Sequence, residues 1–141
     1  NLYDSRALIC PIMDARRGQV YTGIYRFEDN TFRTLKEDCA IALEELLEEL
    51  AAAQEPVVFL GDGVPVGREK IAARLGSLAR FAPAQMNRQR AASVAALGAV
   101  MYAEGKTETA AAHAPEYLRM SQAERERKAK GLPVSAEENQ G

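Results

Sequence analysis

The sequence predicts an α/β domain in which a three-stranded meander is followed by helices that alternate with short strands. Three stretches rich in β-branched and aromatic residues come first, separated by short polar turns. Leucines at helical spacing then replace the strand pattern, and a short continuous apolar run follows them. The 141 residues, 47% of them hydrophobic, suit one domain with an aliphatic core.

The first three strands are predicted at residues 7–13, 20–27 and 31–41. The first is an apolar run that has no helix caps and ends at Asp14. A polar turn that contains Gly18 separates it from the second strand, so the two form a β-hairpin. In the third strand, Phe32, Leu35 and Cys39 are the apolar points of a rough alternation.

Helices and short strands alternate in the rest of the chain. Leucines at i, i+3, i+4 and i+7 define one face of a helix at 42–53, and glutamates fill its solvated face. The further predicted elements are a buried strand at 57–60, helices at 67–75 and 91–104, a strand at 78–82 and a tail helix at 121–130. This β-β-β-α-β-α-β-α order is that of the ribonuclease H-like fold, which the actin, Hsp70 and sugar-kinase superfamily also uses.

The helix at 91–104 shows the strongest local pattern of the second half. Val94, Leu97, Gly98 and Met101 share one stripe, and Gly105 is the expected stop signal. The domain boundary is predicted after this region, with residues 1–118 forming the globular lobe and residues 119–141 a charged tail helix and a frayed end.

Composition argues against several classes of protein. A net charge of −2 is too balanced for nucleic-acid binding by bulk electrostatics. Cys10 and Cys39 lie in apolar stretches and are predicted to be small buried residues, and with one histidine they make no zinc motif. No apolar run approaches the roughly 20 residues of a membrane span. We therefore expect a cytoplasmic protein without a membrane or metal requirement; its start at Asn1 suggests that a front piece is absent.

The first candidate site is the tip of the predicted hairpin, where Asp14 is followed by Arg16 and Arg17. Guanidinium groups bind phosphate or carboxylate through a planar fork of donors. The tip could therefore contact a phosphate, a tRNA backbone or a partner protein. The alternative is an aspartate that satisfies its own turn beside two solvated arginines.

The second candidate is the turn formed by Gly61, Asp62 and Gly63 after the buried strand. Glycine allows close approach of a backbone or ligand, and in the actin-like superfamily a turn at this place borders adenosine. No Gly-x-Gly-x-x-Gly pattern follows, so a plain strand-to-helix turn is the alternative.

The third candidate is the segment that begins at Tyr117 and Arg119 and continues into the tail helix with Arg125 and Arg127. This helix has a basic bias and lacks a strong apolar stripe, so it lies lightly on the domain or binds a partner. Tail solvation is the alternative.

No complete catalytic constellation is visible. A ribonuclease H-type nuclease needs clustered carboxylates for two metals, and only Asp14 ends a strand at a suitable place. The single histidine, His113, lies in an alanine-rich connector without an obvious partner, and there is no P-loop. We expect no catalytic residue, no cofactor and no metal.

Three segments, taken together, resemble the TsaB/YeaZ family. The sequence DARRGQVY at residues 14–21 is similar to the family's "DARRGEVY"-type signature, and Gly61-Asp62-Gly63 falls where the family has a Gly-x-Gly turn. The segment PEYLRMSQAERE at residues 115–126 resembles the family's closing "P-x-YLR-x-SQAERE" motif. The three matches occur in the family's order and span most of the chain.

The resemblance implies the second lobe of a two-lobed, actin-like scaffold protein. It implies a non-catalytic partner of TsaD and TsaE in the complex that adds threonylcarbamoyl to the adenosine next to the anticodon of tRNA. Contact with tRNA and a homodimer are left open. Two alternatives remain: half of an actin-like small-molecule kinase that holds ATP at the Gly61 turn, and a structural lobe that binds no ligand.

Overall fold

The computed structural model describes residues 6–28 and 31–115, together with residues 118, 127, 130 and 131. The strands are β1 (Leu8–Asp14), β2 (Gln19–Glu28), β3 (Thr31–Ala42), β4 (Val57–Leu60) and β5 (Ala79–Phe81). The helices are α1 (Leu43–Ala53), α2 (Val64–Leu75) and α3 (Ala91–Ala103), and Gly76–Leu78 and Ala84–Met86 form short 3₁₀ turns. The predicted β-β-β-α-β-α-β-α order is confirmed.

The five strands form one mixed sheet in the order β3-β2-β1-β4-β5. β1 pairs antiparallel with β2, with Asp14 opposite Val20, and β2 pairs antiparallel with β3. β4 lies parallel to β1 on its other side, with Pro11 opposite Leu60, and β5 extends the parallel half. The two central strands therefore point their carboxyl ends to the same edge of the sheet.

The core lies between one face of this sheet and the two helices α1 and α2. α1 buries the leucines that its helical spacing predicted: Leu43, Leu46, Leu47 and Leu50. The sheet opposes them with Cys10, Ile12, Val57 and Phe59, all of them fully buried. The aliphatic core predicted from composition is confirmed, and its area removed from water is the main favourable term in folding.

The glutamate face of α1 is exposed, as predicted, but it also carries ion pairs to its neighbours. Arg74 of α2 binds Glu48 through two parallel hydrogen bonds of 2.8 and 2.7 Å, and Lys70 pairs with Glu44. Lys36 of β3 donates to Glu49 at 2.7 Å. These ion pairs join α2 and β3 to the exposed face of α1.

The predicted third strand is confirmed, and β3 lies at one of the two edges of the sheet. Phe32 is 46% exposed and Leu35 is 53% exposed, so the apolar points of its alternation do not enter the core. The Phe32 ring stacks on Tyr25 at 5.0 Å and contacts Phe27 at 5.6 Å, which gives it partial cover outside the core. Cys39 is only half-buried, so its predicted burial is corrected too.

Two helices also differ in detail from their predictions. α2 begins at Val64 instead of residue 67, with Pro65 in its first turn, where a missing N–H has no intrahelical partner to lose. α3 ends as predicted, since Gly105 follows it with φ +74°. No residue of α3 is buried, however, so the predicted stripe is not covered by the part of the chain that the structure describes.

In the predicted tail at residues 119–141, the structure describes only Arg127, Lys130 and Gly131. The predicted boundary after residue 118 therefore lies outside the described residues. Within the described part, no helix has the length and apolar character required to cross a membrane.

Candidate functional site

Two of the three candidate motifs meet at the carboxyl edge of the sheet. Asp14 ends β1 and Gly61 follows β4, and these strands are parallel neighbours. In open α/β sheets, ligands and partners commonly bind at this edge, because the loops that follow the strands converge there. The site consists of the tip loop (residues 15–18) and the 61–63 turn.

The tip loop closes through two backbone hydrogen bonds. The N–H of Ala15 donates to the carbonyl of Gln19 at 3.0 Å, and the N–H of Gln19 donates to the carbonyl of Arg16 at 3.1 Å. Arg16, Arg17 and Gly18 all have left-handed backbones, with φ of 66°, 56° and 74°. This conformation is natural for glycine but costs a side-chain-bearing residue roughly 1–2 kcal/mol, so the two arginines are held in strained positions.

Asp14 serves the turn itself. Its Oδ1 accepts a 2.8 Å hydrogen bond from the backbone N–H of Arg16, and its Oδ2 lies 3.7 Å from the guanidinium of Arg16. The Asp14 side chain is 29% exposed, whereas that of Arg16 is 86% exposed. The carboxylate therefore holds the loop in shape, while the guanidinium group extends into solvent.

The 61–63 turn packs directly against the end of β1. The N–H of Gly63 donates to the carbonyl of Ile12 at 3.0 Å. A Cβ at Gly61, whose φ is +105°, would overlap that carbonyl oxygen, and a Cβ at Gly63 would lie 3.0 Å from it. Both glycines are needed for this close approach of two backbones. The requirement is structural, so it does not depend on a ligand.

Asp62 was missed as a site residue, although it joins the two motifs. Its Oδ1 accepts a 3.2 Å hydrogen bond from the backbone N–H of Asp14. An aspartate between a strand and a helix is usually read as a cap of that helix. Here α2 has no side-chain cap. Only a pairing of β1 with β4, which the sequence pattern did not specify, reveals the actual partner.

A small cleft of about 90 Å³ opens beside these loops, between the tip loop and the first turns of α1 and α2. It is lined by Asp14, Gly18, Gln19, Val20, Leu43, Gly63, Val66, Gly67 and Lys70. Small-molecule sites usually enclose about 300–1,000 Å³. The cleft is therefore far too small to enclose a nucleotide within this domain alone.

The remaining polar candidates give no second site. In the described ranges no three His, Cys, Asp or Glu side chains cluster as a metal would require. His113, for which the sequence offered no partner, lies 2.5 Å from Glu108, and both side chains are largely exposed. That pair lies in the exposed segment after α3.

The third motif is described at only a few positions, among them Leu118 and Arg127. Tyr117, Arg119 and Arg125 lie outside the described residues. Arg127 is described and exposed, and its carbonyl accepts a hydrogen bond from the N–H of Lys130 at 3.1 Å, as in a helical turn.

Comparison with known proteins shows the family to which the chain belongs and agrees with the fold. The family model described as "TsaD: tRNA N6-adenosine threonylcarbamoyltransferase" matches residues 2–127. The tRNA threonylcarbamoyladenosine biosynthesis protein TsaB of Bacillus subtilis (strain 168) is 35% identical over 119 residues, which are 83% of this chain and 49% of that protein.

Two solved structures share the fold. The first, described as an uncharacterized protein with similarity to peptidase YEAZ from Pseudomonas aeruginosa, has a TM-score of 0.62 at 21% identity over 82% of this chain and 51% of its own. The second, YeaZ from Pseudomonas aeruginosa, has a TM-score of 0.59 at 21% identity over 79% of this chain and 50% of its own. The ribonuclease H-like, actin-like fold is confirmed.

Fold and edge loops thus define a ribonuclease H-like protein, and the chain belongs to the family that the TsaD model describes. Its predicted resemblance to the TsaB/YeaZ members of that group is confirmed by the Bacillus relative. The chain spans about half the length of the relatives it matches.

Proposed function

We propose that this chain is a non-catalytic scaffold lobe of a TsaB-type subunit in the machinery that adds threonylcarbamoyl to the adenosine next to the anticodon of tRNA. The observation that carries the proposal is the 35% identity to a TsaB protein over 83% of the chain. TsaD and TsaE are the proposed partners of the whole protein, and the cytoplasm is its proposed location. In this proposal residues 1–118 form the C-terminal lobe and residues 119–141 its tail.

The geometry of the carboxylates supports a scaffold role. Asp14 accepts the N–H of its own turn, and Asp62 accepts the N–H of Asp14. A carboxylate that fixes a loop in this way is a poor general base, because its lone pairs are already directed at backbone donors. The same hydrogen bonds hold the tip loop and the 61–63 turn beside each other at the edge.

Arg16 and Arg17 are the proposed centre of the contact surface. Both are exposed and both have left-handed backbones, which the tip loop enforces at a cost in stability. Strained residues of this kind concentrate at functional sites. Exposed guanidinium groups suit a carboxylate on a partner protein or a phosphate of tRNA. Tyr117, Arg119, Arg125 and Arg127 are proposed to extend this surface.

Reconstitution tests the proposal. This chain would replace the matching half of the Bacillus subtilis TsaB, and the chimera would be added to TsaD and TsaE with tRNA, ATP and threonylcarbamoyl adenylate. Modified adenosine would be measured by mass spectrometry. We expect modification that depends on the chimera, and none when the chimera is supplied without TsaD. Turnover without TsaD would contradict the non-catalytic role.

Charge-reversal variants test whether Arg16 and Arg17 form the proposed contact surface. In the chimera, Arg16→Glu combined with Arg17→Glu should lower the yield of modified adenosine by at least about tenfold. Reversed charges in a contact repel the partner group. Arg33→Glu with Arg80→Glu is the matched control, because these arginines are also exposed but lie on β3 and β5. An equal loss in both pairs would show that net charge alone matters.

The kinase alternative receives less support. The cleft at the 61–63 turn is about 90 Å³, and the glycines there are already required by the backbone of β1. ATP binding by the chimera that is lost in Gly63→Ala, with the fold intact, would favour the kinase.

A further inference from the structure

The small cleft beside the tip loop joins the hydrophobic core to the protein surface. Two of the residues that line it, Val20 and Leu43, are core residues that are 5% and 6% exposed. Val66, in the first turn of α2, lines the same cleft and is 73% exposed. A single exposed aliphatic side chain is ordinary on a protein surface. Here, however, Val66 continues an apolar lining outward, so that an apolar group in the cleft would contact both the core and Val66.

The charged groups that line the cleft already have partners. The carboxylate of Asp14 accepts the backbone N–H of Arg16 at 2.8 Å, and Lys70 forms an ion pair with Glu44. A ligand that bound through these groups would have to displace contacts that the fold already makes. An apolar group would leave the same contacts in place. The lining therefore favours an apolar occupant.

The size and lining of the cleft distinguish a side chain from a nucleobase. Its volume of about 90 Å³ is that of roughly three water molecules at about 30 Å³ each, which suits a short branched aliphatic side chain. Proteins that hold an unstacked base place it against an aromatic ring or a guanidinium plane. Among the described residues that line the cleft, none is aromatic and none is an arginine. The cleft itself therefore favours a protein segment over RNA.

The tip loop places two exposed cations next to this apolar cleft. Gly18 lines the cleft, and Arg16 and Arg17 directly precede it in the loop. The Arg16 side chain is 86% exposed, and its contact with Asp14 is a long one of 3.7 Å. A partner segment with a carboxylate close to its aliphatic side chain would complement both features at once, because opposite charges across an interface favour association.

We propose that the cleft and the tip loop together bind an acidic protein segment, which inserts one branched aliphatic side chain beside Val66 and places a carboxylate on Arg16 or Arg17. The inference rests on the proposed function, because it names the kind of partner that the surface around the two arginines contacts. Of the two groups that suit these arginines, it selects a protein carboxylate over a phosphate of tRNA.

Substitution of Val66 tests the inference. The chimera described above would be titrated with TsaD and TsaE together and, separately, with tRNA, and both affinities would be measured by biolayer interferometry. Val66→Lys replaces an apolar contact by a cation. Affinity for the two proteins should fall by at least about tenfold, because the inserted side chain would then lie against a charged group. Affinity for tRNA should not rise, whereas an added cation would strengthen a contact with phosphate.

Two further variants are the controls. Val66→Ile keeps an apolar, branched side chain and should bind TsaD and TsaE like the parent. Leu35→Lys makes the same apolar-to-cation change at a side chain that is 53% exposed on β3, and it should also bind like the parent. Both Val66 and Leu35 are largely exposed, so the variants should fold, which circular dichroism would verify.

A crosslink from position 66 identifies the bound segment. Val66→Cys, combined with Cys39→Ser and labelled with a photoreactive maleimide, would be irradiated in the presence of TsaD, TsaE and tRNA. We expect attachment to a peptide of one of the two proteins in which an aliphatic residue lies near an aspartate or glutamate. Leu35→Cys in the same background should not label that peptide.

Two results would overturn the inference. The first is unchanged affinity of Val66→Lys for TsaD and TsaE, which would leave the proposed function standing if the chimera still modifies tRNA. The second is tighter tRNA binding by Val66→Lys together with a crosslink from position 66 to tRNA, which would make RNA the occupant. Conversely, a chimera that binds TsaD and TsaE through Val66 but modifies no tRNA would contradict the proposed function and leave the inference standing.

Discussion

The carboxylate of Asp62 accepts a 3.2 Å hydrogen bond from the backbone N–H of Asp14, 48 positions earlier in the chain. This bond links the turn after β4 to the end of β1 and therefore to the tip loop. The carbonyl of Gly18 in that loop accepts the N–H of Leu43 at 3.0 Å, which adds the start of α1. Two loops and the start of a helix, all distant in sequence, are thus joined by hydrogen bonds at one edge of the sheet.

The Asp62 contact predicts a local loss of order when the acceptor is removed. Asp62→Ala should lower the free energy of unfolding by only about 1 kcal/mol, because the bond is exposed. The amide of Asp14 should exchange faster with solvent, which nuclear magnetic resonance can measure. Asp62→Asn keeps an acceptor oxygen and should behave like the parent. Equal effects of both variants would mean that the negative charge matters and the hydrogen bond does not.

Gly61 should tolerate alanine poorly. Gly61→Ala forces a φ of +105° on a residue with a Cβ and drives that Cβ into the Ile12 carbonyl, so we expect a loss of about 3 kcal/mol or more in urea unfolding. Gly76→Ala is the control, because Gly76 also has a positive φ but no atom within 4 Å of an added Cβ. Its loss should be smaller than that of Gly61→Ala, because only the backbone conformation opposes the added Cβ. Similar losses at both positions would show that backbone conformation alone explains the requirement.

Replacement of Arg17 by glycine should not destabilise the fold, because Arg17 has a left-handed backbone. Arg17→Gly removes the cost of a left-handed arginine, roughly 1–2 kcal/mol, and loses up to about 1 kcal/mol through the freer unfolded chain. The net result should be a free energy of unfolding that is unchanged or up to about 2 kcal/mol higher. Arg80→Gly, in the extended strand β5, should instead destabilise the protein. A destabilised Arg17→Gly would contradict the strain in the tip loop.

Acid should weaken the attachment of α2 to α1. The paired hydrogen bonds from Arg74 hold the pKa of Glu48 below its ordinary value of 4.5. The folded chain therefore binds this proton less readily than the unfolded chain, so the pair stabilises the fold above about pH 4.5 and its contribution is lost as the pH falls through the lowered pKa. Thermal melting should show a gap between the parent and Glu48→Gln at neutral pH that closes in acid. A gap that persists unchanged in acid would contradict the ion-pair origin of the effect.

The two cysteines should differ sharply in reactivity. Burial raises the pKa of the Cys10 thiol from 9.0 to about 12. At pH 8 this reduces its reactive thiolate by roughly a thousandfold. Cys39 is half-buried and should react with a thiol reagent first, which Cys39→Ser would verify by removing the fast phase.

Because the folded Cys10 thiol keeps its proton where the unfolded one loses it, the free energy of unfolding should also fall between about pH 9 and 12. Equally rapid labelling of both thiols would contradict the buried position of Cys10.

The sequence predicted the elements whose pattern is local. The leucine spacing of α1, the apolar run of β4 and the glycine stop after α3 each depend on neighbours a few positions away. The three family-like segments could also be recognised without coordinates. For the same reason Asp14, Arg16 and Arg17 were placed correctly at a hairpin tip.

Only the tertiary structure decided what covers each element and what meets at the edge. The alternation in β3 resembles that of a half-buried strand, but its place at the outside of the sheet leaves Phe32 and Leu35 exposed. The stripe of α3 resembles a core face, but nothing in the described chain buries it. Asp62 meets Asp14 only because β4 pairs parallel with β1. Periodicity reports which face of an element is apolar, whereas strand order and the presence of a neighbour determine whether that face is buried.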